Sequence, residues 1–123
     1  MNQFSRKNMP KALRLMVYAK CGGRCAYCGE KLELKDMQVD HLESVYMAGR
    51  QNDDIGNLMP SCRKCNWSKH AMGVEGLRRE IRTYLRSLNR YNHDYQMAKK
   101  YGLVKETGEK IEFWFEKAGK KEG

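Results

Sequence analysis

Val39-Asp40-His41-Leu42, a polar loop, Asn57-Leu58, then Cys62-Arg63-Lys64-Cys65-Asn66: this is the stretch whose reading decides the fold. A second Cys-x-x-Cys, Cys25-Ala-Tyr-Cys28-Gly29, stands upstream of it. A two-residue gap lets both sulfurs of a pair reach one tetrahedral ion, and the glycine after Cys28 permits a tight turn. The pairs Cys25/Cys28 and Cys62/Cys65, with 33 residues between them, therefore read as one four-thiolate zinc site. Such a site is closed, so its role is structural rather than catalytic. The chain between the pairs becomes a segment pinned at both ends. Within that segment and at its far end lie an acid, a histidine and two asparagines, Asp40, His41, Asn57 and Asn66.

The rest of the chain is read as support for that segment. The chain of 123 residues is one domain's worth of material, with a core modest enough to profit from a metal staple. Apolar residues suffice for a globular fold, and no apolar run approaches membrane-spanning length. No apolar signal region precedes a cleavage site at the N-terminus, so a cytoplasmic protein is expected, in a host cell if phage-encoded. In a reducing compartment, paired Cys-x-x-Cys units are metal ligands more often than disulfides. The fifth cysteine, Cys21, reads as a small buried residue at a helix end.

Charge is unevenly placed along the chain. The net formal charge is +9. Residues 1–29 hold six Lys or Arg and no acid, whereas residues 30–57 hold three basic and seven acidic residues. Residues 58–100 hold ten basic and three acidic ones, and residues 101–123 five of each. Two basic segments thus flank an acidic middle. Basic flanks suit a polyanion, and an acidic middle suits a cation.

Periodicity divides the chain into a basic arm (1–10), a zinc-bound core (11–73) and a basic helical extension (74–123). Pro10 opens a helix over Lys11–Lys20 with Leu13, Met16 and Val17 on one face, stopped by Gly22 and Gly23. Leu32–Leu34 and Gln38–Leu42 alternate as a hairpin would. Residues 43–56 form a long polar loop, a length usually kept for function. Leu58–Pro60 reads as a short return strand. A helix capped by Ser61 carries Cys62, Cys65, Asn66 and Lys69 as far as Gly73. A longer helix, Val74–Asn89, has the apolar stripe Val74, Leu77, Ile81, Tyr84, Leu85 and Leu88. Arg78, Arg82, Arg86 and Arg90 recur every fourth residue on it. They read either as a solvated face or as a phosphate-tracking one, and the neighbouring motif favours phosphate. Asn92–Tyr101 is helical, and Leu103–Lys105 with Lys110–Glu116 predicts a C-terminal β-hairpin. The tail from Ala118 onward reads as frayed. The expected class is α+β.

Asp40 and His41 are adjacent, so on a strand they face opposite sides and can take different tasks, one holding a metal and the other working on water. Val39-Asp40-His41-Leu42, Gly49, Asn57-Leu58, Cys62-Arg63-Lys64-Cys65-Asn66 and Lys69 together resemble the HNH endonucleases. The resemblance covers residues 11–70. It implies a small zinc-stabilised ββα-metal core, treble-clef-like, with flanking helices. It also implies roles. His41 would be the general base that activates water. Asp40 and Asn66 would hold one Mg²⁺ or Mn²⁺. Asn57 would brace the loop, and Lys69 would meet a phosphate. The chemistry agrees, because a phosphodiester needs a nucleophile and charge relief on its oxygens. The sequence departs from the commonest family pattern at three places. Asn66 stands where histidine is usual, making an HNN variant; Ser44 stands for a frequent proline, and Ala48 for the first of two glycines. His70, one turn on from Asn66, is given a surface role.

The function expected from these residues is metal-dependent cleavage or nicking of DNA. Members with this outline often work beside a phage DNA-packaging terminase. The alternative keeps the scaffold and loses the cutting: a zinc-stabilised binding protein, such as a phage-encoded anti-CRISPR inhibitor docked on a host defence nuclease. A zinc-ribbon transcription factor would leave the Asp40-His41 and Asn57-Leu58 spacing unexplained.

Overall fold

The computed structural model describes residues 9–42 and 54–122, apart from the side chains of 120–122. Most of the basic arm and most of the expected loop, with Ser44, Ala48 and Gly49, lie outside these residues. The first helix, α1 (Lys11–Lys20), starts at Pro10 and ends at the buried Cys21. Gly22 and Gly23 then turn the chain at φ of 60° and 79°, which a side chain would resist. Val17 is wholly buried with Leu13 and Tyr18 around it, whereas Met16, expected on the same face, is exposed. Polar staples complete the docking. Arg14 donates to the carbonyls of Leu34 and Met37. Tyr18 donates to Leu32, and Lys20 to Ile55 and Leu58.

The sheet has two strands, β1 (Gln38–His41) and β2 (Leu58–Ser61), paired antiparallel with Val39 opposite Pro60 and His41 opposite Leu58. The expected hairpin partner of β1, Leu32–Leu34, is instead a single bridge from Lys31 to Arg24 and a 3₁₀ turn over Leu34–Asp36. The correction has a simple cause. Alternation shows that a strand has two faces but does not choose its partner, and β1 takes Leu58–Ser61 from farther along the chain. Side chains alternate across β1. Asp40 therefore shares a face with Met59, toward Tyr27 and the following helix. His41 shares the other face with Leu58, toward α1.

Helix α2 (Arg63–Lys69) is capped by Cys62, one residue later than expected, because the Cys62 sulfur accepts the Cys65 amide at 3.4 Å. It ends at His70, not Gly73; Gly73 opens α3 (Val74–Tyr91). Only the first part of α3 reaches the core: Leu77 is buried, while Tyr84 and Leu85 are exposed. Helix α4 (His93–Lys100) follows, capped by the Asn92 side chain.

The predicted C-terminal hairpin does not form. Residues 103–113 carry no strand, and Trp114–Glu122 is a helix, α5, that includes the expected frayed tail. Glu116 explains the start of α5. Its carboxylate reaches back to the Phe113 amide at 2.9 Å, half of a capping box without the usual hydroxyl residue at the cap. The alternating Ile111, Phe113 and Phe115 are satisfied by a common partner rather than by a strand. Phe113 and Phe115 set ring edges on Tyr27 at 5.4 and 6.0 Å between centroids.

Gly29 sits where α5 meets the Cys25–Cys28 turn. Its φ is +81°, and a Cβ there would lie 2.6 Å from Trp114 Cδ1. Gly29→Ala is expected to lose about 2 kcal/mol or more, read as a drop in melting temperature on the order of 10 °C. Hydrogen exchange over residues 113–119 should accelerate with it. An unchanged melting curve would exclude this contact as an anchor.

Candidate functional site

The site is built from the four cysteines outward. All four sulfurs lie within 4.8 Å of one another, with Cys28 and Cys62 at 3.9 Å. Zinc–sulfur bonds of about 2.3 Å in a tetrahedron imply sulfur–sulfur edges of roughly 3.8 Å, so the cage has the size of a zinc site. The acid–base chemistry points the same way. Cys25 is held down to about 4, first by the Cys65 thiol donating to it and then by backbone amides, against the opposing effect of burial. Cys62 is pushed up to about 12, chiefly by burial. Cys65 is raised as well, first by its bond to Cys25 and then by burial. Four sulfurs this close are ready ligands for a single cation among them. The cluster is a metal site of the zinc type.

Tyr27 links this cluster to Asp40. It lies between the ligands Cys25 and Cys28, and its hydroxyl donates a very short hydrogen bond to Asp40 Oδ2. Burial and the Asp40 charge raise its pKa, so it stays a donor. From the other side Lys69 Nζ meets Asp40 Oδ1 at 3.2 Å and Oδ2 at 3.1 Å, and the His41 carbonyl at 2.7 Å. The Asp40 carboxyl is raised by burial, and the Lys69 ammonium and the Tyr27 hydroxyl oppose that rise.

Lys69 is accordingly not the phosphate contact the sequence suggests. Its side chain is 0 % exposed and its donors are directed at Asp40 and at the β1 backbone. A length that could reach a phosphate has been turned inward by a buried carboxylate. Arg78 is corrected for a similar reason. Its side chain is 12 % exposed and binds Glu116 at 2.6 Å and Glu75 at 3.0 Å, with a very short bond to the Ile111 carbonyl. It clamps α3 to the start of α5, with its guanidinium 4.8 Å over the Phe113 ring. Arg82, Arg86 and Arg90 are exposed, as a phosphate-tracking face requires.

The remaining candidates gather around β1. Asn57 is buried at the end of a 3₁₀ turn, and its carbonyl accepts the Leu42 amide at 2.8 Å. Lys20 grips the carbonyls of Ile55 and Leu58 on either side of it, at 2.6 and 2.7 Å. His41, opposite Leu58, is buried at 8 % exposure. Asn66 and Lys69 lie three apart on α2, facing Gln38 and Asp40, which lie two apart on β1. The Asn66 amide meets Gln38 Oε1 at 3.5 Å. The carboxylate of Asp40 and the amide oxygen of Asn66 are hard donors of the kind that suit Mg²⁺ or Mn²⁺. They fit such an ion in type, beside an ammonium that already offsets the Asp40 charge. Sequence reasoning missed Tyr27 as part of this network. The available signal was a hydroxylated aromatic placed between two ligands.

Residues 25–72 match the HNH endonuclease family. Among solved structures the chain is similar to the type II-C Cas9 enzyme from Actinomyces naeslundii, at 27% identity and a TM-score of 0.43. The similarity covers 72% of this chain and 12% of that one. No curated protein matches the chain. No helix among the described residues is long and apolar enough to cross a membrane.

Two outcomes follow from this geometry. Stripping the metal with a strong chelator is expected to collapse the circular dichroism and melting transition, because structural zinc contributes about 10–16 kcal/mol in small domains; an unaltered transition would exclude a structural metal. Lys69→Met is expected to cost about 3–5 kcal/mol by stranding a buried carboxylate, measured by denaturant unfolding. Adding Asp40→Asn should recover much of that loss. A Lys69→Met variant as stable as the parent would exclude the buried pair.

Proposed function

We propose that the HNH domain at residues 25–72 hydrolyses DNA phosphodiester bonds with the help of one divalent metal ion. The observation that supports this reading is the match of residues 25–72 to the HNH endonuclease family. Pairing of β1 with β2 and packing of α2 on β1 gather Asp40, His41, Asn57 and Asn66. His41 takes the proton of the attacking water, the general-base task that histidine most often serves. The Asn57 turn, gripped by Lys20, holds the His41 end of β1 in place. Asp40 and Asn66 would hold Mg²⁺ or Mn²⁺, which neutralises phosphoryl oxygens and assists the leaving oxygen. Tyr27 and Lys69 fix the Asp40 carboxylate from two sides, so that it keeps one orientation. Arg82, Arg86 and Arg90 track the DNA backbone along α3.

A domain of this size reads few base pairs, so sequence preference would come from a partner. A DNA-packaging terminase is the partner class the resemblance implies. A second reading, binding without cleavage, draws on one observation: Lys69 already neutralises Asp40, so the motif holds its shape without a second metal. A chain of that kind could serve as an inhibitor docked on a host defence nuclease.

The decisive assay is conversion of supercoiled plasmid to nicked or linear forms across a panel of divalent metals. The wild-type protein is expected to cleave with Mg²⁺ or Mn²⁺. His41→Ala should lose about 100-fold or more with its zinc content unchanged. Cleavage that survives His41→Ala, or none with any divalent metal, would overturn the enzymatic reading and favour binding alone.

A further inference from the structure

Helix α2 has two faces, and only one has been given a task. Cys62, Cys65, Asn66 and Lys69 face the metal cluster and β1. The opposite face carries Arg63, Lys64, Trp67 and His70, all exposed. Trp67 is 69% exposed. A tryptophan left so open is unusual in a domain whose other aromatic rings near α2, Tyr27 and Phe113, are buried. Trp67 and His70 are three residues apart on the helix, and their rings touch at 5.3 Å between centroids, tilted by 54°.

His70 adds a second observation. It is the only non-glycine among the described residues with positive φ, at 51° with ψ −129°. Helix ends of this kind usually take glycine, because a Cβ is strained there. Here a histidine occupies the position and its ring lies against Trp67. Charge supplies the third. Arg63 precedes Trp67 by four residues and Lys64 by three, so both lie along its stripe. No acid occurs between Cys62 and Val74.

We propose that this face of α2 is a stacking platform for an unpaired nucleobase of a DNA strand. Trp67 is the stacking surface, His70 supports it, and Arg63 and Lys64 meet the flanking phosphates. The proposal rests on the reading of the chain as a DNA-acting protein and adds what that reading lacks, a contact to a base. An indole stacks on any base whose π-face is free, so the contact tolerates sequence but demands a strand locally out of the duplex.

The test uses full-length, zinc-loaded protein carrying His41→Ala, so that binding is read without cutting. Single-stranded oligodeoxynucleotide with a fluorophore at one end is titrated; its anisotropy gives the affinity for every variant, and tryptophan emission reports stacking. Trp114, half-buried against Gly29, serves as an internal reference, and the Trp67→Phe variant assigns the signal. Saturable quenching is expected. Trp67→Ala should bind about tenfold more weakly, Trp67→Phe should stay close to the parent, and an oligonucleotide with abasic sites should bind the parent as weakly as Trp67→Ala binds the intact strand. Wild-type affinity in Trp67→Ala, or equal binding of intact and abasic strands, would overturn the platform. Absence of quenching by any strand would overturn it too. These readouts are independent of plasmid cleavage, so the platform and the nuclease reading can fail separately.

Discussion

Four sulfurs drawn together within 4.8 Å are the constraint on which the rest of the structure hangs. Without a cation, ionising one of them pushes its neighbours back toward the thiol. With a dication, the same crowding becomes coordination. Each ligand also carries a second duty. Cys62 caps α2, and its partner Cys65 sits in the first turn of that helix. The turn holding Cys25 and Cys28 receives backbone bonds from two other parts of the chain. The Ala26 amide bonds Pro60 of β2 at 2.8 Å, and the amides of Trp114 and Phe115 bond Tyr27 and Ala26 at 3.0 and 2.9 Å. A metal worth about 10–16 kcal/mol in small domains can supply as much as an ordinary domain's whole net stability. The sheet, with four residues in each strand, has little stability of its own.

Buried charge transmits that constraint to the chemistry. Tyr27 leaves the metal turn and meets Asp40; Lys69 leaves α2 and meets Asp40 and the His41 carbonyl. Burying a carboxylate and an ammonium is costly, and the cost is offset only when each has its partners. All buried polar side-chain atoms among the described residues do. Such a network is rigid because any displacement of one member strands another. The network thereby fixes the end of β1, where the adjacent Asp40 and His41 point to opposite sides of one strand.

The arginines of α3 show how one sequence pattern can divide into two roles. The spacing of Arg78, Arg82, Arg86 and Arg90 is uniform, but the helix leaves the core after its first two turns. Arg78 lies on the packed part and closes on Glu116; the other three lie on the projecting part and face water. The projecting part is steadied by Glu106, which accepts from Asn89, Tyr95 and Lys99 at 2.9, 2.7 and 3.0 Å, so that α3, α4 and the following segment share one carboxylate. Those hydrogen bonds hold Glu106 down to about 2, well below the usual carboxylate range.

By itself the sequence determined the metal cage and the helices α1, α3 and α4 nearly to the residue. These are matters of spacing and local periodicity, which a linear chain displays directly. Tertiary structure alone decided which strand pairs with β1, that Phe113 and Phe115 seat a helix rather than a hairpin, and that Lys69 and Arg78 turn inward. Pairing and burial depend on partners distant in sequence. A lysine's length and charge suit a phosphate and a buried carboxylate equally well, and only the position of Asp40 and Tyr27 across the fold settles which of the two it meets.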